Sequence, residues 1–138
     1  MSTHHFSACE SVFISKSDFQ NPSTSVPYII VDTCSKLGLF VSLRFLEWAA
    51  ENPQGVISLP TGKTPEYFIK WTQHLLANWD KPAMEVLRKE NGLQLDKKPE
   101  LGQLRFVQMD EFYPISPEQQ NSFYNYVNNF YLSGFGIS

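Results

Sequence analysis

LPTGKTP, residues 59–65, follows the apolar run Val56-Ile57 after the single residue Ser58. A strand that runs into Pro60, Thr61, Gly62, Lys63, Thr64 and Pro65 is leaving a sheet for a helix through a turn rich in donors. Gly62 allows a sharp turn and a close backbone approach to a ligand. Pro65 suits the first position of a helix over 66–78, and Thr64 suits the cap before it. The free N–H groups and dipole of such a helix favour an anion at its mouth. Thr61 and Thr64 add hydroxyls and Lys63 a positive charge, so Thr61, Gly62, Lys63 and Thr64 form a candidate anion site. A structural strand-to-helix turn fits the same spacing equally well. Gly62-Lys63-Thr64 matches the end of a nucleotide phosphate loop, but that pattern needs glycine at position 57, which is Ile57, and Pro65 follows at once. Nucleotide binding is excluded on those grounds.

Outward from this stretch the chain alternates. Tyr28-Ile29-Ile30-Val31 reads as a strand. A helix is predicted from Ser35 to Glu51, capped by Asp32 or Thr33 and apolar over most of its circumference, hence largely buried. Val56–Leu59 is a second strand of the buried parallel type. A third is Leu104–Met109, and a last helix spans Ser122–Tyr131, closed by Ser133-Gly134. Strand–helix alternation predicts an α/β fold: a parallel sheet with helices on both faces, a Rossmann-like three-layer sandwich. Three strands make a thin sheet and the sequence stops after a helix, so an incomplete domain is expected. Residues 1–27 read as an N-terminal extension in which Val12-Phe13-Ile14 forms an edge strand. Residues 80–103, with a short helix at Ala83–Glu90 stopped by Asn91-Gly92, read as a surface insertion.

Composition fits a single domain of 138 residues with 42% hydrophobic and 18% charged residues. The net charge of -3, with no Lys/Arg run longer than Lys97-Lys98, gives no nucleic-acid footprint. No apolar run approaches the roughly 20 residues of a membrane span, and the first residues lack the pattern of a secretory signal. Cys9 and Cys34 match no metal or redox spacing, which suits a reducing cytoplasm. His4, His5 and Cys9 are metal-ligating types, but a tail is the better reading of that terminus.

Ligands of open parallel sheets bind at the carboxyl ends of the strands. The segment 109–114 shares that placement with 59–65. It carries two adjacent carboxylates, Asp110 and Glu111, one of which can serve as a general base. They point opposite ways in an extended chain, so they do not share one role. His74 reads as a surface or half-buried helix residue, and the aromatic run Phe123, Tyr124, Tyr126, Phe130, Tyr131 reads as core packing.

ISLPTGKTPEYF (57–68), FVQMDEF (106–112) and NSFYNYVNNFY (121–131) together resemble the glucosamine-6-phosphate deaminase/isomerase family, which shares a fold with the 6-phosphogluconolactonases. The resemblance covers roughly residues 28–137 and corresponds to the N-terminal half of a deaminase. It implies that Thr61, Gly62, Lys63 and Thr64 contact a phosphorylated amino sugar, that Asp110 takes the proton from C2 of the opened sugar, and that Glu111 supports it. It implies conversion of glucosamine 6-phosphate to fructose 6-phosphate and ammonia without metal or organic cofactor. A homo-oligomer is admitted, not implied. Lys63 departs from the small residue, often glycine, that the family carries there. The family's later Asp-Gly-His segment, with its ring-opening histidine, and its later phosphate-gripping basic residues are absent from these 138 residues, so no turnover is expected of the chain alone. A lactonase is the nearest alternative, disfavoured because Phe112 stands where lactonases carry arginine. A non-catalytic sugar-phosphate sensor is the other alternative, though no DNA-binding helix pair is present.

Overall fold

A capping box starts the first helix. In the computed structural model, which describes residues 5–17 and 28–138, the Ser7 hydroxyl accepts from the Glu10 N–H and the Glu10 carboxylate accepts from the Ser7 N–H at 2.7 Å. This satisfies two otherwise orphaned donors and sets helix α1, Ala8–Ser15. The expected edge strand at Val12-Phe13-Ile14 is therefore corrected to helix. One turn of α1 places Cys9 and Phe13 on the same face, and both are buried. The Phe13 ring lies 4.6 Å from that of Phe40. Of the three residues weighed as metal ligands, His4 lies outside the described residues and Cys9 belongs to the core.

Helix α2, Cys34–Glu51, is capped by Thr33, whose hydroxyl accepts from the Lys36 N–H at 3.1 Å. Leu39, Leu43, Phe45, Leu46 and Ala49 line its buried side. It crosses helix α3, Glu66–Ala77, at Gly38. A side chain there would put a Cβ 2.5 Å from Tyr67 Cβ, so only glycine lets the two helices approach this closely. Beside that contact the Ser42 hydroxyl lies 3.0 Å from the Phe68 carbonyl and accepts from Thr72 Oγ1 at 3.0 Å, which pairs the buried polar groups of this crossing.

Strands β1, Val56–Ile57, and β2, Arg105–Phe106, pair in parallel with Val56 opposite Arg105 and Ile57 opposite Phe106. The ladder continues through Arg105 N–H to Gly55 O at 2.9 Å and Val107 N–H to Ile57 O at 2.8 Å. Three strands were expected; among the described residues the sheet has two. Tyr28–Val31 joins no ladder among the described residues. The Ser17 hydroxyl beyond the end of α1 donates to the Ile30 carbonyl, while Ile29 and Val31 pack on the core edge. Side chains alternate across a strand. Ile57 and Phe106 turn to the core, whereas Val56 and Val107 are 59% and 52% exposed. The described helices thus cover one face of a small parallel sheet, and the second helical layer of a three-layer sandwich is not among them.

Between the strands, helix α4, Pro82–Glu90, ends at Asn91 with Gly92 at φ +90°. Gly92 packs against the backbone of Ala8. The segment read as a surface insertion contributes Leu93 and Leu101 to the core, and it buries Arg88 over the Trp79 ring with a 2.6 Å bond to the Trp79 carbonyl. After β2 and its loop, the Ser122 hydroxyl accepts from the Asn125 N–H at 2.9 Å and caps helix α5, Phe123–Val127. The same helix runs on through a π-helical turn, Asn128–Leu132, and a final turn α6, Ser133–Phe135. It closes at Gly136, φ +73°, instead of the expected Ser133-Gly134. Tyr131 stands at the centre of the aromatic core, 5.7 Å from the Phe106 ring and 5.4 Å from that of Phe135. No helix among the described residues is long and apolar enough to cross a membrane.

Candidate active site

The parallel pairing of β1 and β2 delivers the segments 59–65 and 107–114 to the same end of the sheet, the carboxyl end. In the first segment Gly62 adopts φ +91°, and a Cβ there would meet nothing within 4 Å. Glycine is therefore required by backbone conformation and not by crowding. Among the described residues no group accepts from the N–H of Thr61, Gly62, Lys63 or Thr64. Four successive amides on an accessible loop thus lack a partner among the described residues, which suits an anion. Lys63 is exposed and pairs with no carboxylate among the described residues. The Glu66 carboxyl is held below its usual range chiefly by the 2.5 Å bond from Lys70, and Lys63 assists.

Two details of this turn differ from expectation. Pro65 is the cap residue of α3 and not its first helical residue, and Thr64 makes no capping bond. The ring of Pro65 is buried. Its carbonyl accepts from Ile69 N–H at 2.9 Å, so the helix starts on the proline's fixed φ without side-chain help.

In the second segment the adjacent carboxylates have different surroundings, as the alternation of an extended chain requires. Glu111 accepts from the backbone N–H groups of Phe112 at 3.0 Å, Phe123 at 3.0 Å and Tyr124 at 2.9 Å, and from the Gln108 amide at 3.4 Å. Desolvation pushes its carboxyl upward, but these donors outweigh it and hold the group below the usual carboxylate range. Glu111 is thereby a carboxylate at the N-terminus of α5, where the helix dipole adds to the attraction. The Asp110 side chain is exposed and accepts no hydrogen bond from the described residues, while its backbone carbonyl takes 2.8 Å from the Gln108 amide. Of the two, Asp110 is the one whose carboxylate receives no donor from the described residues, while Glu111 ties the loop after β2 to the start of α5.

The helix beginning at α5 also grips the first segment. Tyr126 Oη donates to the Gly62 carbonyl at 2.8 Å, and Tyr131 Oη donates to the Pro60 carbonyl at 2.6 Å. The Tyr124 amide that holds Glu111 and the Tyr126 ring that holds Gly62 belong to one helical turn, about 5.4 Å of rise. The two segments are indexed to the same piece of helix. Reading the aromatics of 123–131 as core packing holds for the Tyr131 ring and misses both hydroxyls. Tyrosine in place of phenylalanine at 126 and 131 was the available signal.

No protein-family model matches the chain, and no curated protein matches it. Among solved structures it is similar to a monomeric glucosamine-6-phosphate deaminase described as the missing link of the NagB superfamily, with a TM-score of 0.57 and 20% identity. The chain shares the fold of that NagB-superfamily enzyme. The likeness covers 78% of this chain and 37% of the deaminase chain, so the chain spans little more than a third of that enzyme's length.

Proposed function

We propose that this chain supplies the phosphate-binding loop and the proton-abstracting carboxylate of an aldose–ketose isomerase/deaminase acting on an amino sugar phosphate. Its reaction in the protein that carries the chain is conversion of glucosamine 6-phosphate to fructose 6-phosphate and ammonia. The observation that carries the proposal is the attachment of both carboxyl-end segments to one helix, through Glu111 to Phe123 and Tyr124 and through Tyr126 to Gly62.

In this reading the amides of Thr61, Gly62, Lys63 and Thr64, with the Lys63 ammonium, hold the phosphate. Asp110 takes the proton from C2 of the open-chain sugar, and the proton is returned at C1. The imine left at C2 is hydrolysed by water to the ketone with release of ammonia. Such chemistry needs a positioned base and charge neutralisation and no organic cofactor. The chain is read as the first part of a parallel-sheet sandwich whose further helical layer covers the apolar side chains Val56, Val107 and Met109, the last 64% exposed. Two free cysteines support a reducing compartment, the cytoplasm.

Asp110→Asn in the protein tests the assignment. Removing a general base should lower turnover by at least about 10²-fold while the affinity for glucosamine 6-phosphate stays within about threefold, since the phosphate contacts are untouched. Turnover like that of the unaltered protein refutes the role of Asp110.

A further inference from the structure

The two phenols that reach the 59–65 loop do more than fill space beneath it. They are five residues apart. On an α-helix that spacing turns two side chains about 140° away from each other, at about 100° per residue. Here the helix widens into the π-helical turn Asn128–Leu132, whose i→i+5 pattern draws residues five apart toward one side. The result is that Tyr126 and Tyr131 both reach the same loop and bind alternate carbonyls, Gly62 and Pro60.

A trans peptide points its N–H opposite to its C=O. Fixing the Pro60 carbonyl on Tyr131 turns the Thr61 N–H away from the helix. Fixing the Gly62 carbonyl on Tyr126 turns the Lys63 N–H the same way. Both amides are without an acceptor among the described residues, as this orientation requires. A carbonyl that accepts a hydrogen bond also polarises its peptide and strengthens the N–H on the other side. Positive φ at Gly62 lets the two peptide planes align in this manner.

We propose that Tyr126 and Tyr131 are positioning residues that lock the 60–61 and 62–63 peptide planes, so that the Thr61 and Lys63 amides stand ready as paired donors to a phosphate group. This rests on reading the loop as the phosphosugar site. Preorganised donors cost no reordering when the anion arrives. The π-helical turn is then the device that puts two hydroxyls in register with alternate carbonyls. The chemistry recognised is a phosphate group, free or carried by a sugar.

The test is an amide chemical-shift titration of the protein with inorganic phosphate, repeated with glucosamine 6-phosphate, in the unaltered protein and in Tyr126→Phe. The proposal expects phosphate to shift the Thr61 and Lys63 amides. It expects Tyr126→Phe to weaken affinity by about three- to tenfold, what one net hydrogen bond is worth, with the loss concentrated at Lys63 and Thr61 still responding. A purely structural role would lower the melting temperature and leave affinity at the folded site unchanged. Because the phenylalanine keeps the ring, the variant keeps its packing, and Tyr131→Phe supplies a second case in which the response at Thr61 is the one lost. Unaltered phosphate affinity in both variants overturns the proposal. Absence of any phosphate-induced shift at 61–64 in the unaltered protein overturns the phosphosugar reading itself, so the two failures are told apart.

Discussion

The backbone N–H of Tyr124 donates to the Glu111 carboxylate at 2.9 Å across 13 residues of sequence. With Phe112, Phe123 and Gln108 completing the set, this one side chain joins the loop after β2 to the start of α5. Its carboxyl is depressed in the folded state, so its stabilisation is fully present above the unfolded value near 4.5 and is lost as the pH falls through the lower, folded value. Glu111→Gln is expected to lower the melting temperature at pH 7 and to flatten the acid side of the stability profile. Thermal melts of both proteins from pH 7 to pH 3 check this; superimposable curves would remove Glu111 from its supporting role.

At the crossing of α2 and α3, Gly38 faces backbone atoms of Tyr67 and Phe68 as well as Tyr67 Cβ. Those atoms cannot rotate away, so an added methyl must part the two helices. Gly38→Ala gains about 1 kcal/mol of helix propensity but is expected to be net destabilising by about 2 kcal/mol through overpacking. Urea unfolding gives the value directly. A neutral or stabilised variant would mean that the helices do not meet at this residue.

The turn after β1 makes a contrasting pair of predictions. Gly62→Ala meets no clash but forces a side chain to φ +91°, which costs about 1–2 kcal/mol; the variant should be less stable and bind phosphate more weakly. Thr64→Ala removes a side chain that makes no capping bond, so the change in stability should stay within about 0.5 kcal/mol. Parallel denaturation curves of the two variants decide whether backbone conformation or side-chain capping shapes this turn.

Cys9 and Cys34 should differ sharply in reactivity. Burial, with the nearby Glu47 charge adding to it, pushes the Cys9 thiol up to about 12, and Arg44 offsets only part of this. Cys34 is exposed. A thiol-specific reagent should therefore modify one cysteine in the folded protein and both after unfolding. Because the folded value is raised above the ordinary 9.0, the contribution of Cys9 is intact below pH 9 and lost as the pH climbs toward 12. Rapid modification of Cys9 in the folded protein would show that α1 does not dock as described.

Much of this architecture is legible in the sequence because single segments carry their own signals. The wide apolar surface of 35–51 demands a buried helix, and Gly62 between polar residues after Val56-Ile57 demands a turn with exposed amides. Other features depend on partners far along the chain. Val12-Phe13-Ile14 has the local preference of a strand, yet Ser7 and Glu10, spaced as a capping box, nucleate a helix that buries Cys9 and Phe13 against α2. Tyr28–Val31 has equal strand character but joins no ladder among the described residues, and propensity alone cannot reveal that. The carbonyls that receive Tyr126 and Tyr131 lie 64 and 71 residues earlier. No local marker announces the π-helical turn that aims those hydroxyls, so an aromatic helix reads as core. The carboxylate pair was separable by alternation along the chain, but that Glu111 is the bound member follows only from the position of α5.

Titration of the protein with glucosamine 6-phosphate, followed by backbone amide shifts, tests the central claim most directly. If the loops after β1 and β2 form one site, the amides of Gly62, Lys63 and Thr64 and those of Asp110 and Glu111 move together and fit a single dissociation constant. Movement confined to one loop, or two loops that saturate at different concentrations, would contradict a shared site for phosphate and base.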